Sequence, residues 1–125
     1  MTGSERTIER ISVTGEIFTP APLVIQMMRE QPLGTFGPGQ SALDPACGDG
    51  QFLAVIKWVK VLAHGMSEEA ALQDIYGVDI MRDNVDICLR RLGGGTILMG
   101  DTLHPKKRLP GQTDDEHHMM LHLFT

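Results

Sequence analysis

Residues 41–56 read SALDPACGDGQFLAVI, and this stretch decides the fold. An apolar pair, Ala42 and Leu43, leads into Asp44 and Pro45, and the chain then passes through Gly48-Asp49-Gly50. The apolar residues that follow recur every three or four positions, as they do along one face of a helix: Phe52, Val55, Ile56, Val59 and Leu62. The pattern predicts a strand, a tight glycine turn and a helix.

The glycine turn is suited to hold a nucleotide cofactor. Gly48 and Gly50 allow positive φ and let a ligand approach the backbone without meeting a Cβ atom. The helix that begins there offers unpaired N–H groups and the positive end of its dipole to an anionic group. Position 53 is Leu, so the third glycine of a dinucleotide fold is missing, and the Gly-Lys-Ser/Thr of a phosphate loop is also absent.

Composition limits the possible partners of the chain. Its 125 residues, 42% of them hydrophobic, suit one folded domain. A net charge of -5 argues against tight DNA binding by this chain alone, since such binding usually needs a basic surface. The two cysteines, Cys47 and Cys88, form no disulfide framework, and no apolar run has bilayer length. We therefore expect a soluble, cytoplasmic protein with no membrane contact.

Two further strands are predicted to end near acidic residues. Residues 75–80 (IYGVDI) and 96–103 (TILMGDTL) are the second and third strands, with helices expected from Ser67 and over residues 82–92. Asp79 and Asp101 join Asp44 at one edge, because parallel strands share their carboxyl end. A carboxylate there can accept hydrogen bonds from ribose hydroxyls.

LDPACGDGQFL closely resembles the S-adenosylmethionine motif of the N6-adenine-specific DNA methyltransferases of the gamma type, which include restriction–modification methylases. GEIFTP, residues 15–20, is similar to the upstream motif of that family, and GVDI to its next motif. The resemblance implies an α/β, Rossmann-like class I methyltransferase half-domain, with Asp79 on the ribose and Asp101 and Thr102 on the adenine. It implies these cofactor-binding residues: Phe18, Thr19, Pro20, Asp44, Pro45, Ala46, Cys47, Gly48, Gly50, Phe52, Asp79, Ile80, Asp101, Thr102 and Leu103.

The remaining expectations concern the C-terminal residues and the first helix. Residues 119–125 are predicted as a fourth strand, giving a parallel sheet of order 3-2-1-4 flanked by helices. Alternation along that strand would separate His118 from His122 by about 13 Å, so no metal site is expected. On the first helix we expect a solvated polar face, made by Lys57, Lys60 and His64, and a core position for Trp58.

The catalytic tetrapeptide of the family, Asn/Asp-Pro-Pro-Tyr/Phe, is not found in the chain. We therefore expect an arm (residues 1–14) and a truncated cofactor-binding domain (residues 15–125) with no catalytic residue of its own. An unpaired edge of its sheet would allow a second chain, or a second copy, to pair with it. Four functions stay open: a subunit that meets DNA through a partner, an inactive decoy of a restriction–modification system, a non-functional fragment, and an adenine-nucleotide module or dimeric scaffold.

Overall fold

The structure is a computed structural model, and it describes Gln26, Arg29 and residues 36–125. Gln26 and Arg29 are helical and exposed. The predicted arm and the predicted cofactor contacts at Phe18, Thr19 and Pro20 lie outside the described residues.

In the described part of the chain, three strands form a parallel sheet. They are β1 (Ala42–Asp44), β2 (Ile75–Asp79) and β3 (Thr96–Met99), and β2 lies in the centre. Asp44 is opposite Gly77, and Asp79 is opposite Met99. All three strands therefore end at one edge, as the sequence predicts.

Four helices lie within residues 36–125. They are α1 (Gln51–His64), α2 (Glu68–Gln73), α3 (Arg82–Leu92) and α4 (Asp114–Phe124). Ser67 caps α2 by accepting a hydrogen bond from the Ala70 N–H at 3.1 Å. α3 ends where Gly93 adopts a φ of 79° and donates its N–H to the Leu89 carbonyl. The first three helices confirm the predictions made for them.

The sheet carries a hydrophobic core on each face. Ile97 and Met99 of β3 pack with α1 and α3, whereas Leu98 between them faces Met120 of α4. The larger core also confirms the buried position of Trp58, which is 9% exposed. The described residues thus form a sheet covered by α1 and α3 on one face and by α4 on the other.

The predicted fourth strand is wrong, because residues 114–124 form helix α4. Thr113 and Glu116 form a reciprocal capping box, and Asp114 and Asp115 add negative charge to the first turn. Met120, Leu123 and Phe124 then recur at helical spacing and pack against the sheet. A short apolar alternation at residues 119–123 was outweighed by this cap. The described sheet therefore has the order 3-2-1 without the fourth strand.

The histidines near the C-terminus are also placed by this helix. His118 and His122 are both exposed and lie one helical turn apart. The separation of about 13 Å that was expected along a strand therefore does not apply. Within residues 36–125, no group of three or more His, Cys, Asp or Glu side chains is arranged to hold a metal ion.

The polar face predicted for α1 is buried at Lys57 and Lys60, which are 5% and 0% exposed. Lys60 Nζ donates to the Gly37 and Gln40 carbonyls at 3.1 and 2.7 Å and to Asp74 Oδ2 at 3.3 Å. Lys57 Nζ donates to the Leu92 carbonyl at 2.9 Å. These partners satisfy the two cations inside the protein, so the expectation of a solvated face is wrong at both lysines.

Among the described residues, every helix is too short or too polar to span a bilayer.

Candidate functional site

A cavity of about 220 Å³ opens at the carboxyl edge of the sheet. The loops that follow β1, β2 and β3 all contribute to its wall. Its lining residues are Pro45, Ala46, Asp79, Ile80, Gly100, Asp101, Thr102 and Leu103. The tertiary structure thus brings seven of the sequence-predicted residues together around one space, and it adds Gly100.

Asp79 is the most connected side chain in the cavity wall. Its Oδ2 accepts a hydrogen bond from the Gly48 N–H at 3.0 Å. Its Oδ1 accepts from the Met81 N–H at 2.9 Å and from Asn84 Nδ2 at 3.1 Å. A carboxylate has about four acceptor positions, so these bonds orient Asp79 and leave one position on Oδ2 for a ligand.

The turn after β1 is fastened to its neighbours by backbone hydrogen bonds. Asp44 Oδ1 accepts from the Ala46 N–H at 3.1 Å, and the Cys47 N–H donates to the Val78 carbonyl at 2.8 Å. Thr102 Oγ1 donates to the Pro45 carbonyl at 2.7 Å. The Asp44 side chain therefore shapes the turn and does not line the cavity, whereas the hydroxyl of Thr102 closes one wall against Pro45.

The loop after β3 supplies the second carboxylate of the cavity. Asp101 Oδ1 accepts from the Leu103 N–H at 3.0 Å, and the Gly100 N–H donates to the Asp79 carbonyl at 3.0 Å. A Cβ atom on Gly100 would lie 2.5 Å from Met120 Sδ, so any larger residue there would require the Met120 side chain of α4 to move. Sequence reasoning missed Gly100, although its place directly before an acid at a strand end was a usable signal.

The two glycines of the turn have different roles. Gly48 adopts a φ of 55°, and nothing lies within 4 Å of where its Cβ would be, so its backbone is open to a ligand. Gly50 adopts a φ of 87°, but a Cβ there would lie 2.6 Å from Cys88 Sγ. Both confirm the predicted positive φ. At Gly50, packing against Cys88 of α3 is a second reason, besides the positive φ, why a side chain would not fit.

Cys47 and Phe52 lie beside the cavity and do not line it. Cys47 is 5% exposed, and its thiol lies in the core against Cys88. The hydrogen bond between the two thiols, together with burial, raises the pKa of Cys47, and the same hydrogen bond lowers the pKa of Cys88. Phe52 is half exposed in the first turn of α1. The Cys47 side chain is therefore a packing group of the core.

The cavity wall combines hydrogen-bond acceptors with apolar surface. Asp79 and Asp101 are acceptors for hydroxyl and amine protons, and the side chains of Pro45, Ile80 and Leu103 offer apolar surface to a flat ring. Its volume of about 220 Å³ is below the roughly 300–1,000 Å³ of pockets that enclose a drug-sized ligand. The cavity is therefore smaller than a pocket that encloses a whole drug-sized ligand, and the open backbone of Gly48 lies outside its wall.

The described residues define an α/β protein whose parallel strands end at a cleft. A family model described as N-6 DNA methylase matches residues 6–110, which is most of the chain. The chain therefore belongs to the N-6 DNA methylase family, and the resemblance seen in its motifs is confirmed. No match is found among curated proteins or among solved structures.

Proposed function

We propose that residues 15–125 are the S-adenosylmethionine-binding part of an adenine-specific DNA methyltransferase-like protein. The observation that carries the proposal is the composition of the cavity wall. Seven of its eight residues are ones that the family motifs assign to the cofactor, although they come from three separate loops. A chance grouping of this kind is improbable for residues more than fifty positions apart along the chain, as Pro45 and Leu103 are.

The chemistry of the wall suggests a role for each group. The open acceptor position on Asp79 Oδ2 is suited to a ribose hydroxyl, and Asp101 to the exocyclic amine of adenine. Ile80 and Leu103 are more than half exposed without a ligand, at 52% and 85%, and would be covered by the adenine ring. The cofactor, when bound, supplies an activated methyl group on sulfur.

Methyl transfer needs a group that holds the acceptor amine in line with that methyl group. The family provides it with Asn/Asp-Pro-Pro-Tyr/Phe, and no such tetrapeptide occurs in residues 1–125. We propose that the tetrapeptide is supplied by further sequence or by a partner chain, which also meets the DNA. The described strand β1 has β2 on one side only, so its other edge is suited to pair with that segment.

Calorimetry with S-adenosylmethionine and S-adenosylhomocysteine tests the cofactor assignment. Both ligands should bind, whereas ATP should bind much more weakly, because a triphosphate would approach the acidic edge of a protein with a net charge of -5. The proposal would be overturned if neither sulfur ligand bound at about 1 mM. A dissociation constant of that size corresponds to a binding free energy of roughly -4 kcal/mol. Preferential binding of ATP would instead support the adenine-nucleotide module.

Tritiated-methyl transfer to DNA then tests the need for a partner. The 125-residue chain alone should transfer no label, and activity should appear only when a chain that contains the tetrapeptide is added. If the cofactor binds and no such chain restores transfer, the inactive decoy of a restriction–modification system becomes the better description.

A further inference from the structure

We propose that Arg91 is a positioning residue for the cofactor, acting through Asp49 of the glycine turn. The inference rests on the proposed function and assigns a role to a residue outside the family motifs quoted above. Arg91 lies in the last turn of α3, 42 positions after Asp49, so nothing in the local sequence links the two.

One guanidinium nitrogen of Arg91 holds two oxygens of the same residue. Its Nη1 donates to the Asp49 carbonyl at 2.9 Å and lies 3.0 Å from Asp49 Oδ1. The Arg91 side chain is only 10% exposed, against 41% for Asp49. A largely buried cation thus faces the residue between the two glycines, and a charge-assisted bond of this kind is stronger than a neutral one.

The contact fixes a peptide group that would otherwise have much freedom. Gly48 and Gly50, with φ of 55° and 87°, flank Asp49, and glycine restricts its backbone least. Asp49 and Gly50 share one peptide unit, and Arg91 donates to the carbonyl of that unit. The N–H of the same unit, which belongs to Gly50, donates to the Cys47 carbonyl at 3.0 Å. Both polar ends of this unit are therefore fixed.

The fixed turn is joined directly to the cavity. The Gly48 N–H donates to Asp79, which lines the cavity. A Cβ atom built on Gly48 would have no protein atom within 4 Å, so this side of the backbone is open. Since the cavity is too small for a whole cofactor, the part beyond the nucleoside must extend from it, and this turn borders it at Asp79. Arg91 should therefore affect the amino-acid end of the ligand more strongly than the nucleoside end, which the turn reaches only through Asp79.

A purely structural role would have a different consequence. Basic residues in the last turn of a helix stabilise it through the dipole, and Arg90 shares this property with Arg91. Arg90 is exposed, and the same substitution there removes the same charge from the same turn. Arg90→Met is thus a matched control for Arg91→Met.

The test compares two ligands that share a nucleoside. S-adenosylhomocysteine carries the amino-acid end, and 5′-methylthioadenosine lacks it. We expect Arg91→Met to weaken S-adenosylhomocysteine binding about tenfold, from the loss of a charged hydrogen bond, and to change methylthioadenosine binding less than about twofold. Arg90→Met should change neither, and Arg91→Lys, which keeps a cationic donor, should recover part of the loss.

Asp49→Ala keeps the test decisive if Arg91→Met does not fold. It removes the more exposed partner, and it should weaken S-adenosylhomocysteine selectively too. The double variant should be no weaker than Arg91→Met alone, because Arg91→Met already removes the contacts to both the carbonyl and the carboxylate of Asp49. Equal losses for both ligands, or additive losses in the double variant, would overturn the inference. Failure of the wild-type protein to bind S-adenosylhomocysteine would instead overturn the proposed function.

Discussion

At the scale of single residues, side chains of one type have different roles, set by their surroundings. Asp79 accepts three protein hydrogen bonds and still lines the cavity, whereas Asp44 accepts one from Ala46 and only shapes its turn. Lys60 is fully buried, and the lysines of the 106–108 loop are exposed. Residue identity therefore indicates which chemistry is possible, and the contacts decide which is used.

Asp79→Ala should weaken S-adenosylmethionine binding by about 2–3 kcal/mol, or roughly 30- to 150-fold. The substitution removes the carboxylate that we propose as an acceptor for the ribose, and it also frees the Gly48 N–H that Asp79 holds at 3.0 Å. Calorimetry measures the change, with Asp86→Ala, an exposed acid on α3, as the control. An unchanged affinity in Asp79→Ala would remove this carboxylate from the site.

Lys60→Met should lower the free energy of unfolding by about 3 kcal/mol or more, with little direct effect on the cavity. The substitution keeps the length of the side chain and leaves two carbonyl groups and the Asp74 carboxylate without their buried cation. Urea unfolding measures the loss. Lys106→Met, an exposed control, should change stability by less than about 0.5 kcal/mol, and equal effects of the two variants would contradict this account.

At the scale of secondary structure, α4 shows how a cap outweighs a weak strand pattern. Glu116 completes the capping box with Thr113 and also accepts from the Met99 N–H of β3 at 2.8 Å. Arg82 of α3 donates to the same carboxylate from both of its terminal nitrogens. One side chain thus begins the helix, extends the hydrogen bonding of the sheet edge and joins α4 to α3.

Glu116→Gln should destabilise the protein by about 1–3 kcal/mol near neutral pH, and the difference should shrink in acid. Burial would raise the pKa of Glu116, but the hydrogen bonds from Arg82, Thr113 and Met99 bring it below the ordinary value. The folded protein therefore binds fewer protons than the unfolded chain. This contribution is present above about pH 4.3, the unfolded value, and is lost as pH falls through the folded pKa.

Thermal unfolding followed by circular dichroism at several pH values measures this effect. Wild-type stability should fall more steeply below about pH 4.3 than that of Glu116→Gln. Glu69→Gln, an exposed substitution on α2, should follow the wild-type profile. Parallel profiles for wild type and Glu116→Gln would show that the carboxylate does not hold α4 in place.

At the scale of the whole molecule, the cavity exists only because three loops meet at one edge of the sheet. β2 lies between β1 and β3, so its terminal Asp79 adjoins both neighbouring loops. A ligand bound there contacts all three loops, and it stabilises the folded chain because the unfolded chain has no such site.

S-adenosylhomocysteine at about 100 times its dissociation constant should stabilise the protein by about 2.7 kcal/mol and raise the melting temperature by roughly 10 °C. Thermal melts over a ligand series measure the shift. Asp79→Ala at the same ligand concentration should lose most of it. A melting temperature that does not respond to ligand in the wild-type protein would count against binding at this cavity.

The elements that could be predicted from the sequence are those that depend on residues close together in the chain. The strand–turn–helix at residues 41–64, the cap at Ser67 and the end of α3 at Gly93 depend on residues within a few positions of each other, so patterns and caps suffice. Seven of the cavity residues were predicted for the same reason, since each follows a recognisable strand or belongs to a local motif. The fold class and the edge that carries the cleft follow from these local signals.

Other features were decided by contacts between distant parts of the chain. Lys60 is buried because Gly37, Gln40 and Asp74 surround its ammonium group, and the Met120 side chain packs closely against Gly100. Arg91 reaches Asp49 across 42 positions. The parallel α/β framework and its acidic edge could be predicted from the residues, because both depend on local periodicity and turn chemistry. The burial of individual charges and the contacts that hold the glycine turn could not be predicted, because they depend on groups that meet after folding.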